Sequence, residues 1–312
     1  VPQEQPRKKA ARRKPKGKRE KMTGGGSSVL ANIFSTLHPM PTPVAQACGT
    51  ALPFSGVSRF DFNQSTDRTI IFAANTGTSA MTSLRVTLGG TPGLTLSNIP
   101  VINASDSTGG PTSGKAMKLS LDLVNSTSLL NMGGRVTVLN ARQRVLLPAA
   151  PASMSSAQWN LFIADVRNHP DARSYGGADF REPKMFLAHP VDDGYNEFEE
   201  WLGTTNADRY CDHFAVWSGS VPQKRRMSTI IMVFESPPST QEYTVSIRSS
   251  YYTRWPLSSV PGQTQRQVPT APLTVINAHA ISAESMGSDA VPVPPRTWLR
   301  RPNVVYAGGA GR

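Results

Sequence analysis

Cysteine is almost absent: Cys48 and Cys211 are the only two among 312 residues. That excludes a disulfide framework and, within one chain, a four-cysteine zinc site. Long apolar runs are absent too. The longest lies around residues 230–234, far short of the roughly 18 residues that span a bilayer. No stable membrane insertion is therefore expected, and the basic N-terminus leads into no apolar signal-peptide core. Histidines are few and scattered: His38, His169, His189, His213 and His279 show no metal-ligand spacing. Cys211, Asp212 and His213 adjoin, but consecutive residues of a strand point to opposite faces and do not converge as a nucleophile set. With no G-x-S-x-G elbow and no carboxylate pair arguable from spacing, no enzyme is expected.

Charge is present but uneven. The net +12 comes from 33 Lys and Arg against 21 Asp and Glu; residues 1–21 hold 10 basic and 2 acidic side chains, residues 22–253 hold 17 of each, and residues 254–312 hold 6 and 2. A neutral middle excludes a basic groove built over a whole globular surface and points to a neutral body carrying a cationic arm. The arm's cations are Arg7, Lys8, Lys9, Arg12, Arg13, Lys14, Lys16, Lys18, Arg19 and Lys21. They sit among helix breakers without apolar periodicity, so the arm is expected to be disordered when free. Gly24-Gly25-Gly26 supplies a flexible joint. Such a density of cations releases counterions from a phosphate polymer whatever its base sequence, and without interleaved aromatics it lacks the means of base stacking. A nuclear-localisation signal, an acidic-membrane tether or a solubilising tail would use the same residue types. The lack of lipid-inserting side chains favours nucleic acid.

Beyond the joint, Ser28, Val29, Leu30, Ile33, Phe34 and Leu37 fit either a short docking helix or the extended start of the packed domain. The neutral middle, about 230 residues, suits one large domain. Gly (25) and Pro (26) together exceed the usual share of about 12%, as in an all-β fold with many turns. Eight segments have strand character: 69–74, 84–88, 116–124, 135–147 (bent or broken), 184–188, 213–217, 229–234 and 242–252. Two alternate cleanly, with Met117, Leu119, Leu121 and Leu123 against Lys118, Ser120 and Asp122, and Tyr243, Val245, Ile247 and Tyr251 against Thr244, Ser246, Arg248 and Ser250. Period two predicts one buried and one wetter face.

Two helices are expected within the strand pattern. Ser155 and Gln158 fit a capping box ahead of Trp159, Phe162, Ile163 and Val166, ending before His169-Pro170. The second should begin near Asp192-Asp193 and run through Tyr195, Phe198 and Leu202. This order does not fit parallel βα alternation; it predicts an eight-stranded antiparallel jelly-roll sandwich with two short inserted helices. The expected divisions are a disordered arm and joint (1–26), one shell-like body (27–255) and a Pro-rich extension (256–312).

Two further motifs invite chemistry. Residues 109–115 (GGPTSGK) match the Gly and Lys spacing of a phosphate loop, but Ala116 stands where a magnesium-binding hydroxyl is needed and a strand, not a helix, follows. Asp192, Asp193, Asn196, Glu197, Glu199 and Glu200 form the one dense acidic cluster. Its oxygen ligands suit calcium, and Asp192, Asp193 and Glu197 are the candidates, but the order of an EF-hand loop is missing and helix capping explains the same residues. No cofactor is otherwise expected.

The basic arm, Gly-rich joint, eight-strand body and Pro-rich extension together resemble the coat protein of a small icosahedral virus. Residues 243–256 (YTVSIRSSYYTRWP) look like the final jelly-roll strand of nodavirus-like capsids, a group that includes those of bacilladnaviruses, single-stranded DNA viruses of diatoms. The resemblance implies identical subunits tiling a shell, the arm facing a single-stranded RNA or DNA genome, location in the virion, and assembly in the host cytoplasm or nucleus. With on the order of a hundred copies or more, the arms would carry about a thousand charges toward that genome. It also implies a cleavable Asn-Ala bond promoted by a buried Asp. Asn277-Ala278 matches by position, with Asp61 or Asp67 as partner, although Asn103-Ala104, Asn140-Ala141 and Asn206-Ala207 share the dipeptide and the residues after Asn277 are unlike a membrane-active peptide. The alternative is a cellular β-sandwich that binds nucleic acid or carbohydrate, which predicts an exposed aromatic platform from Trp201, Trp217 or Trp255.

Overall fold

The computed structural model describes residues 49–65, 67–75, 81–89, 92–98, 110–191, 197–200, 214–218, 220, 227–235, 237, 239–268 and 290–292. In chain order β1 (Thr50–Gln64) and β2 (Arg68–Ala73) precede a hairpin of β3 (Met81–Leu88) and β4 (Gly93–Asn98). Then come β5 (Ser113–Asn125), β6 (Arg135–Ala141), helix α1 (Ser156–Asn168), β7 (Arg173–Gly176), β8 (Lys184–Leu187) and the two-residue β9 (Glu199–Glu200). β10 (Thr229–Glu235), β11 (Gln241–Arg254), the single-turn α2 (Val260–Gln263), β12 (Arg266–Gln267) and β13 (Ala290–Pro292) complete the order.

Two antiparallel sheets face each other. One has the order β12-β1-β11-β5-β8-β13, with β9 also on β5; the other has β4-β3-β2-β10-β6-β7. Setting aside the β3–β4 hairpin and the three shortest strands, eight remain: β1, β2, β5, β6, β7, β8, β10 and β11. The first pairs with the eighth, the second with the seventh, the third with the sixth and the fourth with the fifth. That is one long antiparallel ribbon rolled into two sheets, the jelly roll.

Alternation builds the core between the sheets. Leu119, Leu121 and Leu123 of β5 and Tyr243, Val245 and Ile247 of β11 meet Ile71, Val136, Val138, Ile230, Met232 and Phe234 of the facing sheet. Phe62 stacks on Tyr243 at 5.6 Å and meets Phe234 edge-on at 5.0 Å, offset geometries that aromatic pairs prefer. Asn140 Nδ2 crosses the layers to Leu187 O (2.7 Å). Asn75 Nδ2 donates to Lys118 O and Ser250 O (3.0 and 3.1 Å), where the β5–β11 register shifts at Ser250/Tyr251.

The second sheet is buried on both faces, which explains its unbroken apolar runs, Ile70-Ile71-Phe72 and residues 230–234. Ile70, Phe72, Ile231 and Val233 point away from the inter-sheet core into a second one, closed by Trp159, Phe162, Ile163 and Val166 of α1. This helix starts as its sequence predicts: Gln158 N donates to Ser155 Oγ and Ser155 N to Gln158 Oε1. It stops at His169, ahead of Pro170, a residue that cannot continue a helix.

Several elements differ from expectation. The helix expected from Asp192 to Leu202 is contradicted at Glu199–Glu200, which pair with Ser113 and Gly114 at the start of β5. Phe198 beside them lies 3.9 Å from the Arg254 guanidinium and packs on the Ala51, Met117, Tyr252 and Val268 cluster. These tertiary contacts override a helical spacing. The strand expected at 213–217 is, among the described residues, a single bridge from Val216 to Leu146, while Phe214 and Ala215 fill the helix-side core. Residues 84–88 form a strand that belongs to the added hairpin. Two of the principal eight, β1 and β7, were not expected. Residues 135–147 do break, with β6 ending at Ala141 and pairing resuming at Leu146.

Candidate assembly and nucleic-acid surfaces

The ten arm cations, Asp192, Asp193, Cys48, Cys211 to His213, Trp201, Asn277-Ala278 and the segment 28–37 lie outside the described residues. Glu197 is described. Among the described residues no grouping of three His, Cys, Asp or Glu could hold a metal ion. The phosphate-loop lookalike resolves as its sequence suggests: β5 begins at Ser113, and Lys115 is buried within that strand.

Asp61 does not precede the first strand. It lies inside β1, exposed, and its Oδ1 accepts from Thr244 Oγ1 at 2.6 Å. Asp67, in the β1–β2 turn, is exposed as well. Neither has the burial that the implied cleavage would require. Trp217 packs against the helix-side core, and Trp255 is half-buried with Nε1 donating to Thr253 Oγ1 (2.9 Å). The two therefore do not make the open aromatic platform expected of a carbohydrate or base-stacking site.

The outer face of the β1–β11–β5 part of the sheet is largely polar, with Val57 exposed among polar neighbours, while β8 turns the buried Met185 and Leu187 to the same side as Asp122 and Ser120. Register places Arg59 beside Ser246, Asp61 beside Thr244, Ser246 beside Asp122, and Arg248 beside Ser120. Asp122 pairs with Arg248. The residues expected to be wetter in β5 are in fact buried: Lys118 is 5% exposed, Ser120 0% and Asp122 9%. β5 lies between β11 and β8, so both of its edges are occupied, and its outward side chains pack against long neighbours such as Arg248. Burial pushes the Lys118 ammonium down to about 7. It also raises the Asp122 carboxyl, against the charge and hydrogen bond of Arg248. Along β1, β11 and β5, Arg59, Lys115, Lys118, Arg248 and Arg254 stand against Asp61, Asp122 and Glu242, and the two lysines are buried, so among the described residues the exposed part of this face is close to neutral and is no basic track for a phosphate backbone.

Exposed apolar side chains mark another surface. Leu129 and Leu130, in the loop between β5 and β6, are 59% and 98% exposed. Leu257 and Val260 project from the turn containing α2. β11 runs from the first site to the second, so the two lie at opposite ends of the sandwich. The sequence signal for the first was an uncharged stretch carrying adjacent leucines between two strands.

No protein-family model matches the sequence, and no curated protein matches it. Solved structures do. One is the T13 viral particle of infectious bursal disease virus (TM-score 0.53, 9% identity, covering 88% of this chain and 94% of that chain). The chain shares its fold. The Gx strain of the same virus gives a TM-score of 0.57 at 8% identity over 87% of this chain and 98% of that one. The VP2 subviral particle gives 0.51 at 8% over 88% and 98%.

Proposed function

We propose that the chain is a viral coat subunit: identical copies assemble into a closed shell, and the basic arm holds a single-stranded genome. The observation that supports this most is the complete jelly roll, shared over most of the chain with proteins of a viral particle. A rolled sandwich suits tiling because its hydrogen-bonded edges are short and its ends carry loops for several different contacts. The near-neutral sheet face supports assigning nucleic-acid binding to residues 1–21, where ten cations are concentrated.

In this reading residues 1–26 are arm and joint, 27–255 the shell body, and 256–312 an extension, from which β12 and β13 join the body's sheet. The likeness to nodavirus-like and bacilladnavirus-like coats rests on residues 243–256, now seen as β11 and its exit. No catalytic role is assigned.

Expression of the full chain followed by electron microscopy and sedimentation tests the proposal. Closed particles are expected. A monomer at every salt and protein concentration, with and without single-stranded nucleic acid, would overturn it and favour a cellular binding module. Deleting residues 1–21 should leave the body folded and lower the packaged nucleic acid. Unchanged content with unchanged salt sensitivity would refute the arm's role.

A further inference from the structure

We propose that the Leu129–Leu130 tip is a contact between copies of this chain, at a rotational axis where the same loop from several subunits converges. The inference rests on the coat reading and supplies a surface that the reading leaves open.

The corner is built like a reversed rule. Asn131 N donates to Ser128 O (2.9 Å), which makes Leu129 and Leu130 the two central residues of a four-residue turn. Those positions normally go to Gly, Pro, Asn, Asp or Ser, for conformational reasons or for local hydrogen bonding. No non-glycine residue among those described has positive φ, so the leucines meet no backbone demand that is theirs alone. They also bury little: Leu130 is 98% exposed. Isolated exposed leucines such as Leu161 need no explanation; two adjacent at the apex of a fixed turn do.

The apex is held in place. Buried Gln241 donates from Nε2 to Asn131 O (2.6 Å) and accepts at Oε1 from Gly133 N (3.0 Å). Asn125, also buried, accepts from Thr127 N (3.0 Å) and donates to Gly177 O (3.2 Å). At the loop's exit Gly134 has φ +79°, and a Cβ at Gly177 would stand 1.9 Å from Gly133 O, so only glycine permits that closeness. An apolar apex that is ordered before it meets anything loses little entropy on contact.

Charge selects the occupant. Residues 125–134 contain no charged side chain. The flanking Arg135 is directed away, to Ser174 Oγ (2.7 Å) and Glu235 (3.8 Å). At a rotational axis each residue meets copies of itself, so any charge would be repeated and repel; a charge-free apolar tip is self-complementary. An anionic bilayer would instead select a basic rim around the leucines, and that rim is absent from this loop.

The test substitutes Leu129→Asp together with Leu130→Asp in the full chain. Isolated subunits should melt as the parent does, because the side chains bury little, while shell formation is lost. In a second arm, Leu130→Cys is placed in a Cys48→Ser, Cys211→Ser background and treated with a short bis-maleimide; covalent ladders between copies are expected in assembled material. Normal shells from the double-Asp variant, or shells without a 130–130 cross-link, would overturn the contact and leave the coat reading standing. A parent that forms no oligomer would overturn both. Flotation with phosphatidylcholine and phosphatidylserine vesicles closes the remaining route: parent binding that the double-Asp variant loses, with shells intact, would assign the tip to lipid instead.

Discussion

The two sheets of the sandwich are built from similar strands yet finished differently on their outer faces. The β2–β10–β6 sheet turns Phe72, Ile231 and Val233 outward and covers them with α1. The β1–β11–β5 sheet turns Arg59, Asp61, Lys118, Asp122 and Arg248 outward. A covered sheet admits continuous apolar sequence, whereas an uncovered one must alternate. Stability should therefore concentrate on the helix side, with sensitivity to pH and ionic conditions on the other. Substitutions on the two sides test that division.

The largest effect is expected at Trp159. It is fully buried, with its ring 5.9 Å from Phe162 in an edge-on contact and 6.3 Å from Phe72. Trp159→Ala should cost about 3–5 kcal/mol, read as a lower urea midpoint with dissociated subunits. Trp159→Phe should cost much less, because the buried indole Nε1 has no protein acceptor to lose. Equal losses from the two variants would show that α1 does not close the second core by filling volume.

The same division explains what could be read from sequence. The alternation of residues 119–123 and 243–251 was legible, although Met117, expected beside Leu119, turns to the Ala51, Tyr252 and Val268 cluster at the β5–β11 register shift; so was α1, whose capping box and apolar spacing single out Trp159, Phe162, Ile163 and Val166 as its buried face. β1 was not legible, although at 15 residues it is the longest strand among the described residues. Its inward positions include Phe54, Phe60 and Phe62 but also Gly56, Ser58 and Gln64, and Val57 faces outward, so its hydropathy alternation is broken in mid-strand. β7 spans four residues, Arg173–Gly176, with no apolar run. The count of eight strands was thus reached with two different members: the added hairpin and the Val216 bridge stood in for β1 and β7. The helical reading failed at Glu199–Glu200 because pairing with β5 is nonlocal and leaves no trace in spacing. For the surfaces, the Leu129–Leu130 pair could be seen as letters, but its turn geometry depends on Gln241, more than a hundred residues away. The burial of Lys118 and Asp122 likewise comes from the sheet's order.

On the polar side the sharpest test is Lys118. Burial holds its folded pKa at about 7, below the ordinary 10.5. Between those values the unfolded chain binds the proton that the folded chain has released, so stability should rise with pH, by at most about 1.4 kcal/mol per unit. Below about pH 7 both states are protonated and the full cost of the buried charge is present. Lys118→Met should remove most of that slope and raise stability at pH 6, as followed by urea unfolding at pH 6, 7, 8 and 9. The rise ends above pH 10, because burial also pushes Tyr243 to about 12 and raises Tyr251, and tyrosines that ionise first in the unfolded chain then favour unfolding. An unchanged slope in the Met variant would remove Lys118 as the source.

The smallest effect belongs to the start of α1. Ser155 Oγ accepts from Gln158 N at 3.3 Å, and Gln158 Oε1 accepts from Ser155 N at 2.8 Å. Ser155→Ala frees one of these backbone donors and should cost about 1 kcal/mol, while Ser155→Asp keeps an acceptor at the cap and should cost little. Ser155 caps α1 on the helix-covered side, whereas Lys118 lies in β5 of the opposite sheet. The Ser155→Ala and Lys118→Met effects should therefore add to within about 0.5 kcal/mol, with the pH slope of the double variant matching that of Lys118→Met alone. A coupling clearly above that margin would mean that the helix-covered sheet and the polar sheet respond as one layer, and the separation of stability from pH sensitivity would fail.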